Sequence, residues 1–214
     1  MAQTNFNTPA GSKVERKLLI LYLNIGTAGS PIWRAVGKRV EDSSMEYDWG
    51  EEAKTDIYGE TYATTRRPII SQTFEPCELD GGDAAQLRIW NQAIRAQDVA
   101  AMANNDLMVV HAYAGDPDTG VFAERYMSSM AKPAGLGGSS YIGMQLDVTF
   151  GGKRVVGTAA ISADGVVFTP GEGETVPDEP DTPVIPDEPE EPDEPDTPVV
   201  TQLSAPVIRL EEVS

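Results

Sequence analysis

The chain has 214 residues, 16 Lys+Arg against 34 Asp+Glu for a net charge of −18, one cysteine and one histidine. That length holds one domain with a substantial core plus an appendage. A single cysteine excludes an intramolecular disulfide framework, a single histidine excludes the common zinc ligand sets, and the acidic excess argues against a protein that grips duplex nucleic acid.

Residues 1–17 are polar and read as an extended N-terminal arm. Residues 18–25, Leu-Leu-Ile-Leu-Tyr-Leu-Asn-Ile, follow Lys13, Arg16 and Lys17 and imitate a signal peptide. The run is short, late and interrupted by Asn24, so a buried first strand is the better reading. No apolar stretch approaches the ~20 residues of a membrane span, and a reducing cytoplasm is expected. Residues 32–36 suggest a short second strand.

Residues 41–67 form a polar, turn-rich excursion carrying Tyr47, Trp49, Tyr58 and Tyr62. Residues 44–49 and 54–58 have strand character, and an excursion this long is uncommon without a task. Residues 67–74 read as a strand with Ile70 and Phe74 on one side. Gly81-Gly82 then breaks the chain, and Asp83 with Gln86 makes the pattern of a capping box. A helix over about 83–95, with a second turn or two reaching 103, is expected to lay Leu87, Trp90 and Ile94 on a sheet.

Residues 107–114 are apolar on both sides, as in a buried central strand, and 121–130 are mixed. Ile142, Met144, Leu146, Val148 and Phe150 alternate with Gly143, Gln145, Asp147 and Thr149. Gly151-Gly152 reads as a two-residue hairpin turn returning Val155, Gly157, Ala159 and Ile161 on a partner strand. Asp164-Gly165 makes a further turn before 166–168. The sum is a mainly β fold, an antiparallel β-sandwich or barrel over 18–170 with one flanking helix.

From residue 171 onward there are 14 acidic residues and one basic residue, Arg209, so this segment holds most of the excess charge. Prolines recur every third position from Pro177 to Pro198. That spacing matches polyproline II, so 171–200 reads as an extended acidic stalk. Residues 201–214 include a short strand-like segment, 203–210, weakly similar to the opening strand of an immunoglobulin-like domain.

Catalytic chemistry is sparse. His111 lies in an apolar strand without a nucleophile motif and reads as structural. Cys77 has acidic neighbours that would raise a thiol pKa. Gly81-Gly82-Asp83 lacks the Gly-Lys-Ser/Thr of a phosphate loop. Asp116-Pro-Asp-Thr-Gly120 lacks the remaining ligands of a calcium loop and reads as a turn. Gly135-Leu-Gly-Gly138 lacks the setting of a dinucleotide fingerprint. No catalytic residue, metal or cofactor is expected.

The order of segments, with Trp33-Arg-Ala-Val-Gly37, Glu46-Tyr-Asp-Trp-Gly-Glu51, Lys54-Thr-Asp-Ile-Tyr-Gly59, Ser71-Gln-Thr-Phe-Glu-Pro76 and Gly81-Gly-Asp-Ala-Ala, resembles the major tail (tail tube) proteins of long-tailed, non-contractile bacteriophages. The resemblance covers residues 1–170. It implies two packed antiparallel sheets with a flanking helix, and six copies closing into rings that stack into a conduit for the genome. It also implies partners: the chain itself, other phage tail proteins at the tube ends, and viral DNA passing without specific binding. No membrane anchor is implied, and the location is the virion tail, assembled in the host bacterial cytoplasm. Tyr47, Trp49, Tyr58 and Tyr62 become candidates for inter-ring stacking, against a loop folded over its own sheet with Trp49 in the core. Gln145, Asp147 and Thr149 become candidates for the lumen. The alternatives are a surface or adhesion β-sandwich module on a Pro/Glu stalk, and a small hydrolase or binding domain with a discrete cleft.

Overall fold

The computed structural model describes residues 5–163 and 165–172; the stalk, the 203–210 segment and Asp164 of the last turn lie outside the described residues. Eleven strands are described: β1 (Leu19–Asn24), β2 (Trp33–Ala35), β3 (Ser43–Asp48), β4 (Glu52–Thr55), β5 (Thr61–Thr64), β6 (Ile69–Glu78), β7 (Asn105–Asp116), β8 (Gly120–Gly137), β9 (Gly143–Thr149), β10 (Arg154–Ser162) and β11 (Gly165–Pro170). Between β6 and β7 come α1 (Ala84–Trp90), a π-helical turn (Asn91–Arg95) and α2 (Val99–Ala103). All strand pairs are antiparallel. The expected mainly β architecture with a helical flank is what the chain adopts.

The long strand β8 organises the molecule. Its first part, from Val121 to Tyr126, lies between β7 and β10 in a sheet ordered β2-β1-β7-β8-β10-β11. Its second part, from Met130 to Gly137, pairs with β9 in a sheet ordered β8-β9-β6-β3. One strand thus belongs to both sheets, changing over near Ser128 and Ser129.

Between the sheets lies the main core, in which Leu21, Leu23, Leu107 and Val109 meet Ile70, Phe74, Leu146 and Val148. Fully burying such a side chain contributes on the order of 1.5–3 kcal/mol. The opposite face of β1 and β7 is buried too: Tyr22, Met108, Val110 and Ala123 pack with Trp33 from β2, and Phe168 of β11 lies against them. Burial on both faces is why residues 107–114 carry apolar side chains at odd and even positions alike.

Several expectations need correction. The Gly151-Gly152 turn does not make a hairpin, because β9 and β10 do not pair. The link instead runs on alongside β8, from Thr149 opposite Met130 to Arg154 opposite Tyr126, and so takes the chain from one sheet to the other. A Cβ on Gly151 would sit 2.3 Å from the Ser128 carbonyl oxygen, and Gly152 has φ +70°, so close passage and a left-handed backbone require these glycines. Ile142 precedes β9 and is exposed rather than in the alternating core row.

Asp83 caps α1 as expected, its Oδ1 accepting from the amides of Ala85 (3.0 Å) and Gln86 (3.2 Å). The box is not closed, however. Gln86 turns inward, accepting from the Asp80 amide and donating to Cys77 Sγ and the Glu78 carbonyl. The buried face is Ala85, Gln86 and Ile89, while Leu87 and Ile94 are exposed. The cap sets the helical phase, and the small Ala85 permits the close approach that Leu87 was expected to fill.

Part of the N-terminal arm adds to β7. The Asn7 amide donates to the Tyr113 carbonyl (2.9 Å), the Gly115 amide to the Asn5 carbonyl (3.0 Å), and Phe6 meets Tyr113 edge-on.

Candidate assembly surfaces

The 41–67 excursion supplies β3 to the sheet and then a separate hairpin, β4–β5. Asp48 and Gly50 end β3, with the Asp48 carboxylate accepting from the Gly50 amide and from Arg66. β4 and β5 then pair only with each other and are exposed along their whole length. Asp56 builds the tip: its Oδ1 accepts from the amides of Tyr58 and Glu60, both at 2.9 Å, and Gly59 takes φ +84°. That local turn interrupts the strand expected over 54–58 and thrusts Ile57 (93% exposed) and Tyr58 (86%) into solvent.

The four aromatic candidates do not form one cluster. Tyr47 sits on the inward face of β3 with its hydroxyl donating to Met45 Sδ, and Trp49 stacks on it at 6.5 Å. Trp49 is 48% exposed, which places it outside the core. Tyr58 is at the tip, and Tyr62 lies on β5 opposite Lys54. Ile57, the most exposed large apolar side chain described, was missed because it reads as part of a strand.

Gln145, Asp147 and Thr149 share the outward face of β9, alternating with buried Met144, Leu146 and Val148. Register extends that face into rows. Lys132, Asp147, Thr73 and Ser44 lie side by side across four strands, followed by Met130, Thr149, Ser71 and Glu46. The surface is rich in hydroxyls and carries Lys132 against Asp147 and Glu46 in these rows.

Strand edges remain open. Among the described residues, β2, β11 and β3 each pair with one neighbour, and so does the second part of β8. β11 adds an exposed Val167 at its edge. Open edges of this kind present unpaired backbone donors and acceptors, a template for another strand.

An internal polar cluster joins three distant segments. Glu124 (β8) accepts at Oε1 from Arg154 (β10) and at Oε2 from the Tyr126 hydroxyl at 3.2 Å. His111 (β7) places Nε2 at 3.6 Å from Glu124 Oε2, unbonded, while Nδ1 bonds to the Tyr113 hydroxyl at 2.8 Å. Burial pushes the Glu124 carboxyl up, but the His111 and Arg154 groups beside it more than offset this and hold it below the usual glutamate range. The Tyr126 hydroxyl is pushed up by burial and by Glu124. The group is an ion-pair and hydrogen-bond network that ties β7, β8 and β10 together.

Other candidates have plain roles. Cys77 is buried, hydrogen-bonded to the Lys38 carbonyl and Gln86, and its thiol pKa is raised by burial first, with Asp83 and Glu78 lesser contributors than expected. Asp116 folds its own turn, accepting from the Asp118 amide (2.9 Å) and the Thr119 hydroxyl (3.0 Å). Among the described residues no group of three His, Cys, Asp or Glu is placed to hold a metal ion, and no helix is long and apolar enough to cross a membrane.

No family model matches the chain, and no curated protein matches it. Among solved structures it is similar to the sheath/tube terminator of the PVC extracellular contractile injection system in the extended state, at 9% identity and TM-score 0.41, covering 69% of this chain and 99% of that one. It is similar at 9% and 0.41 to a chain of the PVC sheath-tube complex in the extended state, covering 70% and 94%. It is also similar to the tube-terminating cap of the anti-feeding prophage at 14% and 0.42, covering 72% and 96%.

Proposed function

We propose that this chain is a structural, self-assembling subunit of a phage-tail-like tube, with copies joining edge to edge into rings, six to a ring, that stack into a conduit. The observation that carries the reading is the set of open strand edges on a body whose core is otherwise complete. Side-to-side pairing of edges is a heterologous contact that closes a ring, and a second such contact along the axis produces a filament.

The outward face of the β8-β9-β6-β3 sheet suits a lumen. Hydroxyls with few and mixed charges offer DNA no array of cations to hold it, so a passing duplex would slide. In this arrangement Gln145, Asp147 and Thr149 face the channel. The β4–β5 hairpin, which contributes nothing to the core of its own copy, reaches the adjacent ring.

Negative-stain microscopy of the concentrated full chain tests the proposal. Rings or tubes of regular diameter are expected; dispersed monomers at high concentration would overturn it.

A further inference from the structure

A cleft of about 420 Å³ opens between β1 and the start of the β3–β6 pair. Its walls are apolar, with half-buried Leu19, Val36 and Val40 over a buried Phe74. Its lining carries Arg16, Lys17 and Lys38 against Glu41, a local positive balance on a strongly acidic chain. Arg16 is held there by its bonds to the carbonyls of Ser43 (3.1 Å) and Leu19 (2.7 Å). Lys17 pairs with Glu15, whereas Lys38 makes no ion pair among the described residues.

Gln72 also lines the cleft. It is 2% exposed and donates to Ser43 Oγ at 3.0 Å, but its Oε1 has no hydrogen-bond partner. That oxygen is closed off from solvent, so it is an unmet acceptor beneath the cleft floor rather than a surface contact.

The hairpin has the opposite character. It carries Glu51, Glu52, Asp56 and Glu60 against Lys54, and its tip presents Ile57 and the Tyr58 hydroxyl. It also lies at the opposite end of the same strand pair. Register places Ser43 beside Phe74 at the cleft end and Asp48 beside Ile69 at the hairpin end, roughly 17 Å apart along β3. A copy therefore carries an acidic, apolar-tipped projection at one end and a basic-rimmed, apolar cleft at the other. We infer that the β4–β5 hairpin of one copy inserts Ile57 and Tyr58 into the cleft between β1 and β3–β6 of the next. The contact is head-to-tail, and with ring closure assigned to the strand edges it is assigned to the axial direction. The inference rests on the self-assembly reading and adds its docking site.

The test is a mixed cross-link. Full-chain Glu60→Cys and Lys17→Cys proteins, both at exposed positions and with buried Cys77 left in place away from either, are combined at assembling concentration and oxidised. A disulfide-linked dimer in the mixture but in neither protein alone is expected. Regular rings or tubes without that dimer would overturn the docking site and leave the tube proposal standing; cross-linking of Glu60→Cys to itself would do the same. Dispersed monomers without cross-link would overturn both. Independently, Lys38→Glu should raise the concentration needed for stacking about tenfold, and adding Glu60→Lys should restore it. Unchanged stacking by Lys38→Glu would also overturn the site.

Discussion

Arg125 and Asp106 form a two-pronged ion pair across β7 and β8, with Nε at 2.9 Å from Oδ1 and Nη2 at 2.6 Å from Oδ2. Both side chains are nearly withdrawn from solvent, and the pair is tied in further by Asn24, which donates to Asp106 at 2.8 Å. Trp33 lies 5.3 Å beneath the guanidinium. The arrangement anchors β2 and the loop after β1 to the sheet, since Asn24 also accepts from the amides of Gly26 and Ile32.

Asp106→Ala should therefore cost about 3–5 kcal/mol, because it strands a buried guanidinium. Urea unfolding of the two proteins measures the difference. A loss below about 1 kcal/mol would mean the pair is solvated in solution.

Glu124 predicts an acid sensitivity. Its folded pKa is depressed below the ordinary value of 4.5, so its contribution is present above that value and is lost as pH falls through the folded one. Between about pH 5 and about pH 3 the wild type should lose more thermal stability than Glu124→Gln, which cannot gain that proton. Melting curves across that range give the comparison, and parallel decline would contradict the assignment.

Gly151→Ala should destabilise by about 1–3 kcal/mol, since the added carbon meets a backbone oxygen rather than a yielding side chain. Gly29→Ala, where nothing lies within 4 Å, is the matched control and should change little. Thermal denaturation of both separates crowding from the general effect of losing a glycine.

The exposed tip should be uncoupled from folding. Ile57→Ser and Tyr58→Ser are expected to alter the monomer's unfolding free energy by no more than about 0.5 kcal/mol. Light scattering of the same proteins at high concentration should show weakened stacking. A large fall in monomer stability would mean the tip packs on its own body.

Much of the framework is legible in the sequence because it depends on local periodicity. β1, β7 and β9 declare themselves through apolar runs or alternation, and Asp83 announces α1. Positions whose meaning depends on distant partners are not legible. Gly151-Gly152 has the wording of a hairpin, yet its glycines answer to Ser128, more than twenty positions away. His111, Glu124 and Arg154 share no local pattern and meet only through the register of β7, β8 and β10. Nothing local in Gln72 tells that the residue lines a cleft or that its oxygen is left without a partner. The aromatic excursion was recognisable as an extension, but the Asp56 turn that points Ile57 outward operates through backbone amides that wording does not reveal.

The passage of β8 from one sheet into the other has a consequence for how tolerant the molecule is of altered chain length. Because successive side chains in a strand alternate sides, a single added or deleted residue beside Ser128 would turn the remainder of β8 over. Ala131 would then look out to solvent and Lys132 toward the hydrophobic interior. The two halves of the molecule are thus geared to one another, and the residue count at this junction is fixed by the alternation of sides.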